Sequence, residues 1–241
     1  MKDKNIYLLS TRPLDKTLVD EARKRDITIE SISFIKTASI VARNISEEIK
    51  ELASKSITAV FTSVNGAEAV IEVLEKNAIQ SAWKIYCIGS ATQSLIKKYF
   101  KSATILGNGK NAAELSETII ENGVREVIFF CGNQRRDELP EQLQKKNIEV
   151  KEMVVYETIE VPVKVEKSYN GILFFSPSAV KSFFSVNSIP ADTVLFSIGD
   201  TTASEIKKYS HNKIVVSDFP AKDKLVEIAT DYFHKTNNPN D

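Results

Sequence analysis

A segment of twelve residues occurs twice in this chain, and the repeat limits what the chain can fold into. Ile88–Tyr99 (IGSATQSLIKKY) and Ile198–Tyr209 (IGDTTASEIKKY) lie 110 residues apart and are identical at 8 of 12 positions. The correspondence extends further, since the opening IYLLSTRPLDKTL corresponds to the later VIFFCGNQRRDEL. A repeat that spans several strand-like and helix-like segments indicates two copies of one set of βα modules.

Short apolar runs alternate with segments of helical period along both copies. Apolar residues that follow one another without alternation are typical of strands buried on both faces of a parallel sheet. The predicted strands are Ile6–Ser10, Ile27–Phe34, Ile57–Thr62, Lys84–Ile88, Ala103–Leu106, Glu126–Cys131, Glu149–Tyr156, Gly171–Phe175, Thr193–Ile198 and Lys213–Val216. The predicted helices between them include Leu14–Arg25, Gly66–Lys76, Ala91–Phe100, Ala112–Asn122 and Thr202–Tyr209. Right-handed crossovers then predict doubly wound α/β sheets.

Two extended segments predict where the chain passes from one copy to the other. They are Ile35–Asn44 and Glu157–Lys167, and a proline inside the second disfavours helix there. The predicted first lobe is discontinuous, because the second lobe is inserted into it. The predicted boundaries are residues 1–35 plus 161–241 for the first lobe and 36–160 for the second.

The resulting fold prediction is α/β, with two flavodoxin-like parallel-sheet lobes of five strands each. The lobes arise by tandem duplication and are joined by two crossing extended strands, with a cleft between them. The last residues, 235–241 (KTNNPND), are polar and are expected to fray.

Composition excludes several classes of partner. The chain has 32 Lys and Arg against 32 Asp and Glu, so no overall positive charge favours nucleic acid or an anionic membrane. Its two cysteines, Cys87 and Cys131, form no paired motif, which favours a reducing, cytoplasmic compartment. With only two histidines besides, a metal site is not predicted. No apolar run approaches the roughly 18 residues of a membrane span.

One glycine motif invites a nucleotide-binding interpretation. Gly107–Ala112 fits G-x-G-x-x-A and is expected to open a helix, but its counterpart Ser217–Lys222 lacks both glycines. The next strand ends at Cys131 rather than at an acidic residue. Dinucleotide binding is therefore not favoured.

Hydroxyl and amide side chains follow the predicted strands, at the edge where doubly wound sheets bind ligands. They can be simple helix N-caps. They can also form an anion site together with free N–H groups and the positive ends of helix dipoles. Arg135 and Arg136 can reach such an anion or be a solvated pair. The candidate substrate-binding residues are Thr11, Arg12, Ser63, Asn65, Ser90, Thr92, Ser176, Ser178, Thr201 and Thr202.

Tyr156 is the candidate catalytic residue. It ends the last predicted strand of the inserted lobe, where its hydroxyl could project into the cleft and donate a proton to a leaving oxygen. The alternative is a strand-end tyrosine that is merely half-buried.

The same elements resemble uroporphyrinogen-III synthases over residues 5 to 230. The segments that carry the resemblance are Thr11-Arg12-Pro13, Phe61–Gly66, Ile88-Gly89 with Thr92, Val155-Tyr156-Glu157, Phe174–Ser178, and Ile198-Gly199 with Thr201–Ala203. The resemblance implies a cofactor-free lyase that cyclises linear hydroxymethylbilane with loss of water and inversion of ring D. It places the family's conserved tyrosine on Tyr156. It places substrate-contacting hydroxyls on Ser63, Thr92, Ser176 and Thr202.

A monomer is expected, because the sequence leaves no long apolar stripe for an interface. The resemblance implies that hydroxymethylbilane synthase supplies the unstable substrate, and a transient contact with that enzyme is the expected partner interaction. Cys131 stands where many members of the family carry arginine, which leaves open the basic groups that hold the substrate carboxylates. A nucleotide-sugar glycosyltransferase and a non-catalytic two-lobe module that binds a tetrapyrrole or another anion are the alternative functions.

Overall fold

A computed structural model describes residues 5–40 and 42–237 of the chain. Within these residues the strands are β1 (Ile6–Ser10), β2 (Ile27–Ser31), β3 (Ile35–Ser39), β4 (Thr58–Phe61), β5 (Lys84–Ile88), β6 (Thr104–Gly109), β7 (Glu126–Gly132), β8 (Glu149–Glu160), β9 (Gly171–Phe174), β10 (Val194–Ser197) and β11 (Ile214–Val216). The helices are α1 (Lys16–Arg23), α2 (Arg43–Ala53), α3 (Val64–Lys76), α4 (Ser90–Tyr99), α5 (Ala112–Glu121), α6 (Glu138–Gln144), α7 (Pro177–Phe184), α8 (Asp200–Ile206) and α9 (Lys222–Asn237).

Residue contacts divide the chain into two units. Unit 1 runs to Lys36 and resumes at Ile159, and unit 2 is Thr37–Thr158. The chain leaves unit 1 through β3 and returns through β8. Val161 donates its N–H to the Phe34 carbonyl at 2.9 Å, and Ile40 donates to the Val155 carbonyl at 2.8 Å, so the two segments run antiparallel.

Each unit contains one sheet with a reversal in its strand order. In unit 1 the order is β11-β10-β9-β1-β2, with every adjacent pair parallel. In unit 2 it is β3-β8-β7-β4-β5-β6. The order reverses between β1 and β9 in unit 1 and between β4 and β7 in unit 2. Doubly wound sheets bind ligands outside the carboxyl ends of the strands at such a reversal.

The strands are apolar on successive residues because helices cover both faces of each sheet. In β9 and β10 every residue is buried, and in β7 every residue after Glu126 is buried. In unit 2 one face of the sheet packs in the Phe61 cluster, which contains Phe61, Phe130 and Trp83. The opposite face packs in the Leu143 cluster, which contains Val60, Phe129 and Leu143.

The α/β class with parallel sheets is confirmed, but the number of strands in unit 2 differs from the prediction. Ile35–Asn44 was expected to be an extended bridge throughout, whereas Ile35–Ser39 is a sixth strand of that sheet and α2 begins at Arg43. The helix follows from the apolar spacing of Ile45, Ile49 and Leu52, whose side chains face the Phe61 cluster.

The strand before the glycine motif is longer than predicted. β6 continues past Leu106 to Gly109, which pairs with Ile88, and α5 then begins at Ala112, so the segment Gly107–Ala112 opens a helix as expected. The predicted frayed tail is helical as far as Asn237, and residues 238–241 lie outside the described part of the chain. The predicted lobe boundaries, residues 1–35 plus 161–241 and residues 36–160, stay a prediction.

An aromatic stack gives unit 2 a stability test. Phe130 lies between Phe61 and Trp83, with ring centroids 5.1 and 5.5 Å away, and all three rings are fully buried. We expect Phe130→Ala to lower the free energy of unfolding of unit 2 by about 3–5 kcal/mol, the cost of a large-to-small change in a packed core. Trp83 is the one tryptophan of the chain, so its fluorescence in a urea titration reports this unit.

The matched control is Leu106→Ala in the same sheet, because Leu106 is 41% exposed. Its effect should stay within about 0.5 kcal/mol, as for most exposed positions. Equal midpoints for Phe130→Ala and Leu106→Ala would contradict the described packing of the stack.

Candidate active site

A break in strand register sets the position of Tyr156. β7 and β8 pair residue for residue from Glu126 opposite Glu149 to Cys131 opposite Val154, and then Gly132 lies opposite Tyr156. Val155 is therefore the extra residue of a β-bulge. Tyr156 lies at this bulge, four residues before the end of β8, and not at the strand end that was predicted. Bulges of this kind change the direction in which a side chain points.

The bulge turns Tyr156 to the opposite face of the sheet. In a regular strand successive side chains alternate between faces. Val154 packs in the Leu143 cluster and Val155 in the Phe61 cluster, as alternation requires. Tyr156 then packs against the Phe61 cluster as well. Two adjacent residues thus share one face, and the tyrosine ring reaches the residues that follow β4.

Two glycines make room for the ring. A Cβ atom at Gly132 would lie 2.5 Å from Tyr156 Cζ, 2.6 Å from Cε2 and 2.9 Å from Oη. At Gly66 it would lie 3.0 Å from the Phe130 carbonyl oxygen and 3.7 Å from Tyr156 Cε1. The ring therefore lies directly on the backbone of Gly132. Sequence reasoning assigned no role to either glycine, although a glycine at the end of β7 is a signal for close approach.

Ser63 links the tyrosine to the start of α3. Its backbone is extended, and its Oγ accepts the Gly66 N–H at 3.1 Å as the N-cap of the helix. The same hydroxyl donates to Tyr156 Oη at 3.2 Å. With its oxygen accepting from Ser63, the half-buried phenol keeps its own O–H to donate elsewhere. The arrangement is therefore suited to giving a proton or hydrogen bond to a bound molecule.

The other candidates in unit 2 lie beside Ser63 at the carboxyl ends of neighbouring strands. Asn65 is half-buried in the first turn of α3, and Ser90 is exposed at the first residue of α4. Thr92 is 3% exposed, and among the described residues its hydroxyl has no hydrogen-bond partner. The N-cap of α4 is Gly89, which offers no side-chain cap. Free N–H groups at the start of this helix can donate hydrogen bonds to an anionic group.

Unit 1 contains a second set of candidate residues, which follow the adjacent strands β9 and β10. Ser176 caps α7 by accepting the Ala179 N–H at 3.2 Å, as Ser63 caps α3. Ser178 is half-buried, Thr201 is exposed and Thr202 is 2% exposed. Ser176 follows β9, and the two threonines lie in the first turn of α8 after β10. The sheet thus brings these hydroxyls together by its strand order.

Thr11 and Arg12 follow β1, and they differ in whether their side chains are exposed to a ligand. The hydroxyl and the N–H of Thr11 both donate to the Leu173 carbonyl, at 2.8 and 3.1 Å, and the side chain is 1% exposed. The prediction that Thr11 contacts a ligand is therefore not supported, because its hydroxyl proton closes the end of β1 onto β9. Arg12 is exposed, and its guanidinium carbon lies 5.6 Å from the centre of the Phe175 ring.

Arg135, which was left open as a group that could reach an anion, is engaged within unit 2. Its guanidinium donates to both Glu152 oxygens and to Asp137. The Glu152 hydrogen bonds and then the Asp137 bond hold the pKa of Arg135 above its ordinary value. Arg136 is exposed. Arg135 is thus a structural cation, and Arg136 and Arg12 are the arginines beside the candidate residues that remain accessible.

Cys131 supplies neither charge nor nucleophile at this edge. It is buried, its Sγ lies 3.7 Å from the Met153 carbonyl, and burial raises the pKa of its thiol to about 11. The thiol therefore stays neutral near pH 7. In residues 5–40 and 42–237, no group of three or more His, Cys, Asp or Glu side chains is placed to hold a metal ion.

Comparison with known proteins assigns the family. A family model described as uroporphyrinogen-III synthase HemD matches residues 16–227. The chain belongs to the uroporphyrinogen-III synthase family. It is therefore a cyclising lyase of haem biosynthesis. The uroporphyrinogen-III synthase of Saccharomyces cerevisiae is 25% identical over an alignment that covers 86% of each chain. Neither alternative function gains support from these matches.

Solved structures show the same fold at low sequence identity. A mutant uroporphyrinogen III synthase from Thermus thermophilus matches with a TM-score of 0.67 at 11% identity, covering 96% of this chain and 98% of that one. The uroporphyrinogen-III synthetase of Helicobacter pylori also gives 0.67, at 13% identity, covering 94% and 99%. Among the helices in residues 5–40 and 42–237, none combines the length and the apolar composition that a membrane-spanning segment requires.

Ser63 should stabilise α3 no more than an ordinary cap does. We expect Ser63→Ala to lower the free energy of unfolding by about 1 kcal/mol, the usual value of a lost N-cap. Asn111→Ala is the matched control, because Asn111 caps α5 by accepting the Glu114 N–H at 2.9 Å. Ser63→Ala also removes the hydrogen bond to Tyr156 Oη, so its loss in urea titrations should exceed that of Asn111→Ala by no more than about 1 kcal/mol. A loss several times that of Asn111→Ala would contradict the view that Ser63 stabilises the fold mainly as a cap.

Proposed function

We propose that Tyr156 is the residue that assists departure of the hydroxyl group in the uroporphyrinogen-III synthase reaction. The substrate is linear hydroxymethylbilane. The phenol donates its proton to the hydroxymethyl oxygen, the C–O bond breaks, and water leaves. The observation that supports this role is the Ser63–Tyr156 hydrogen bond at 3.2 Å, in which Ser63 donates and the phenol proton remains available.

Ring closure follows from the electronic character of the pyrrole. Loss of water leaves an azafulvene cation, which the electron-rich pyrrole nitrogen stabilises. Attack by the substituted carbon of ring D gives a spiro-pyrrolenine, and rearrangement with loss of a proton inverts that ring. The chemistry needs no cofactor. The contribution of the protein is then mainly to hold the reacting carbons in the geometry for the inverted bond.

Neutral groups are proposed to hold most of the eight substrate carboxylates. The helix starts after β4, β5 and β9 carry N–H donors and hydroxyls, and the chain has no net charge. Such groups bind anions without an overall positive field. Arg12 adds one accessible cation. The proposed substrate-binding residues are Arg12, Ser63, Asn65, Ser90, Thr92, Ser176, Ser178, Thr201 and Thr202.

Removal of the phenol hydroxyl tests the proposal. We expect Tyr156→Phe to lower kcat about 100-fold, near the low end of what a positioned proton donor contributes, with KM nearly unchanged. The rate of type III uroporphyrinogen formation is measured with hydroxymethylbilane supplied by its synthase. Tyr7→Phe is the matched control, because Tyr7 lies in β1 and is 45% exposed. Unchanged kcat in Tyr156→Phe would remove Tyr156 from the chemistry and leave the family assignment intact.

We further propose that the chain acts as a monomer in the cytoplasm and takes substrate during transient contact with hydroxymethylbilane synthase. The two cysteines are free and buried, which fits a reducing compartment. The instability of the linear substrate favours direct transfer. Light scattering during size-exclusion chromatography should give the 26.9 kDa mass of one chain, and twice that mass would contradict the monomer.

A further inference from the structure

Residue 132, which lies opposite Tyr156, is a glycine and has no side chain. We propose that Gly132, together with the adjacent bulge, is a positioning residue that aims the phenol of Tyr156. The proposal rests on the role of Tyr156 put forward above. It adds that the identity of residue 132, which itself offers no reactive group, sets how well that phenol can act.

Backbone strain does not explain the glycine. Among the described glycines, positive φ angles occur at Gly89 and Gly123, and Gly132 is not one of them. A residue with a side chain could therefore adopt the backbone conformation at 132. What excludes a side chain is the ring, since a Cβ there would lie 2.5 Å from Tyr156 Cζ. The glycine is required by close approach alone.

The duplicated copy shows the alternative at the same position. Aligning Ile6–Ser10 with Val127–Cys131 places Thr11 opposite Gly132. In unit 1 the β1–β2 pairing stays in register to Ser10 opposite Ser31, with no bulge. The Thr11 side chain fills the strand end and donates to the Leu173 carbonyl at 2.8 Å.

The two copies therefore use one position in two ways. In unit 1 a threonine side chain closes the strand end. In unit 2 a glycine and an extra residue in the next strand admit an aromatic ring there. The strand β2, which takes the place of β8 in unit 1, contains no tyrosine (ITIES). Both copies thus have a serine N-cap, Ser63 in unit 2 and Ser176 in unit 1. Gly132 and the adjacent bulge occur only in the copy that contains Tyr156.

Gly132→Ala tests the proposal in two backgrounds. In the otherwise native chain we expect kcat to fall about 10- to 100-fold, since displacing a reacting group by about 1 Å can cost 100-fold, while KM changes less than kcat. Gly132→Thr, which installs the unit 1 residue, should lower kcat further. When Tyr156→Ala has removed the ring, adding Gly132→Ala should change neither the residual rate nor the melting temperature.

The matched control is Gly107→Ala in the same unit. A Cβ at Gly107 would lie 2.8 Å from Tyr86 Cδ1 and 3.0 Å from Thr118 Cγ2. It is therefore also a methyl group forced against a tyrosine ring, but one that has no part in the proposed site. We expect Gly107→Ala to lower the melting temperature and to leave kcat of the folded enzyme unchanged.

Three outcomes would contradict the positioning role of Gly132. Native kcat in Gly132→Ala, or an equal fall of kcat with Gly107→Ala, would overturn the proposal. So would a fall of the same factor in the Tyr156→Ala background. If Gly132→Ala alone does not fold, recovery of folding in the double variant supports the ring contact and its absence refutes it. Failure of the catalytic role itself is distinguishable, because Tyr156→Phe would then keep native kcat while the melting temperatures still report the contact.

Discussion

The candidate site depends on one register shift between two parallel strands. If β8 kept regular alternation past Val155, the Tyr156 side chain would point toward the Leu143 cluster, as Val154 does, and away from Ser63. With the bulge, the phenol meets the hydroxyl that caps α3. The shift is possible because β7 ends in Gly132, over which the ring lies. The arrangement of Ser63, Gly132 and Tyr156 in unit 2 thus follows from strand geometry.

The sheet architecture could be predicted because burial on both faces makes a strand continuously apolar. β7 and β9 were recognised for that reason. β3 was not recognised as a strand, because its residues IKTAS are at most half-buried and it lies at the edge of the sheet. The predicted strand Ala103–Leu106 ended too early, because Gly107 and Gly109 suggest a loop when taken alone. Pairing with β5 extends β6 through both glycines.

The location of the candidate residues could be predicted better than their contacts. Strand order at a reversal brings Ser63 and Ser176 to carboxyl edges, and both serines are caps, as one interpretation held. That Thr11 closes a strand end and that Arg135 pairs with Glu152 are contacts between distant parts of the chain. The bulge at Val155 is equally non-local, since register depends on how two strands pair. No spacing within the sequence reports such pairings.

The central claim is that this fold guides closure of a linear tetrapyrrole toward the inverted product. It is tested most directly by the isomer composition that the purified native chain produces. Hydroxymethylbilane is supplied by its synthase, the products are oxidised, and the uroporphyrin isomers are separated. The account predicts predominantly type III, formed faster than the spontaneous closure. Type I alone, at the rate measured without the chain, would contradict it.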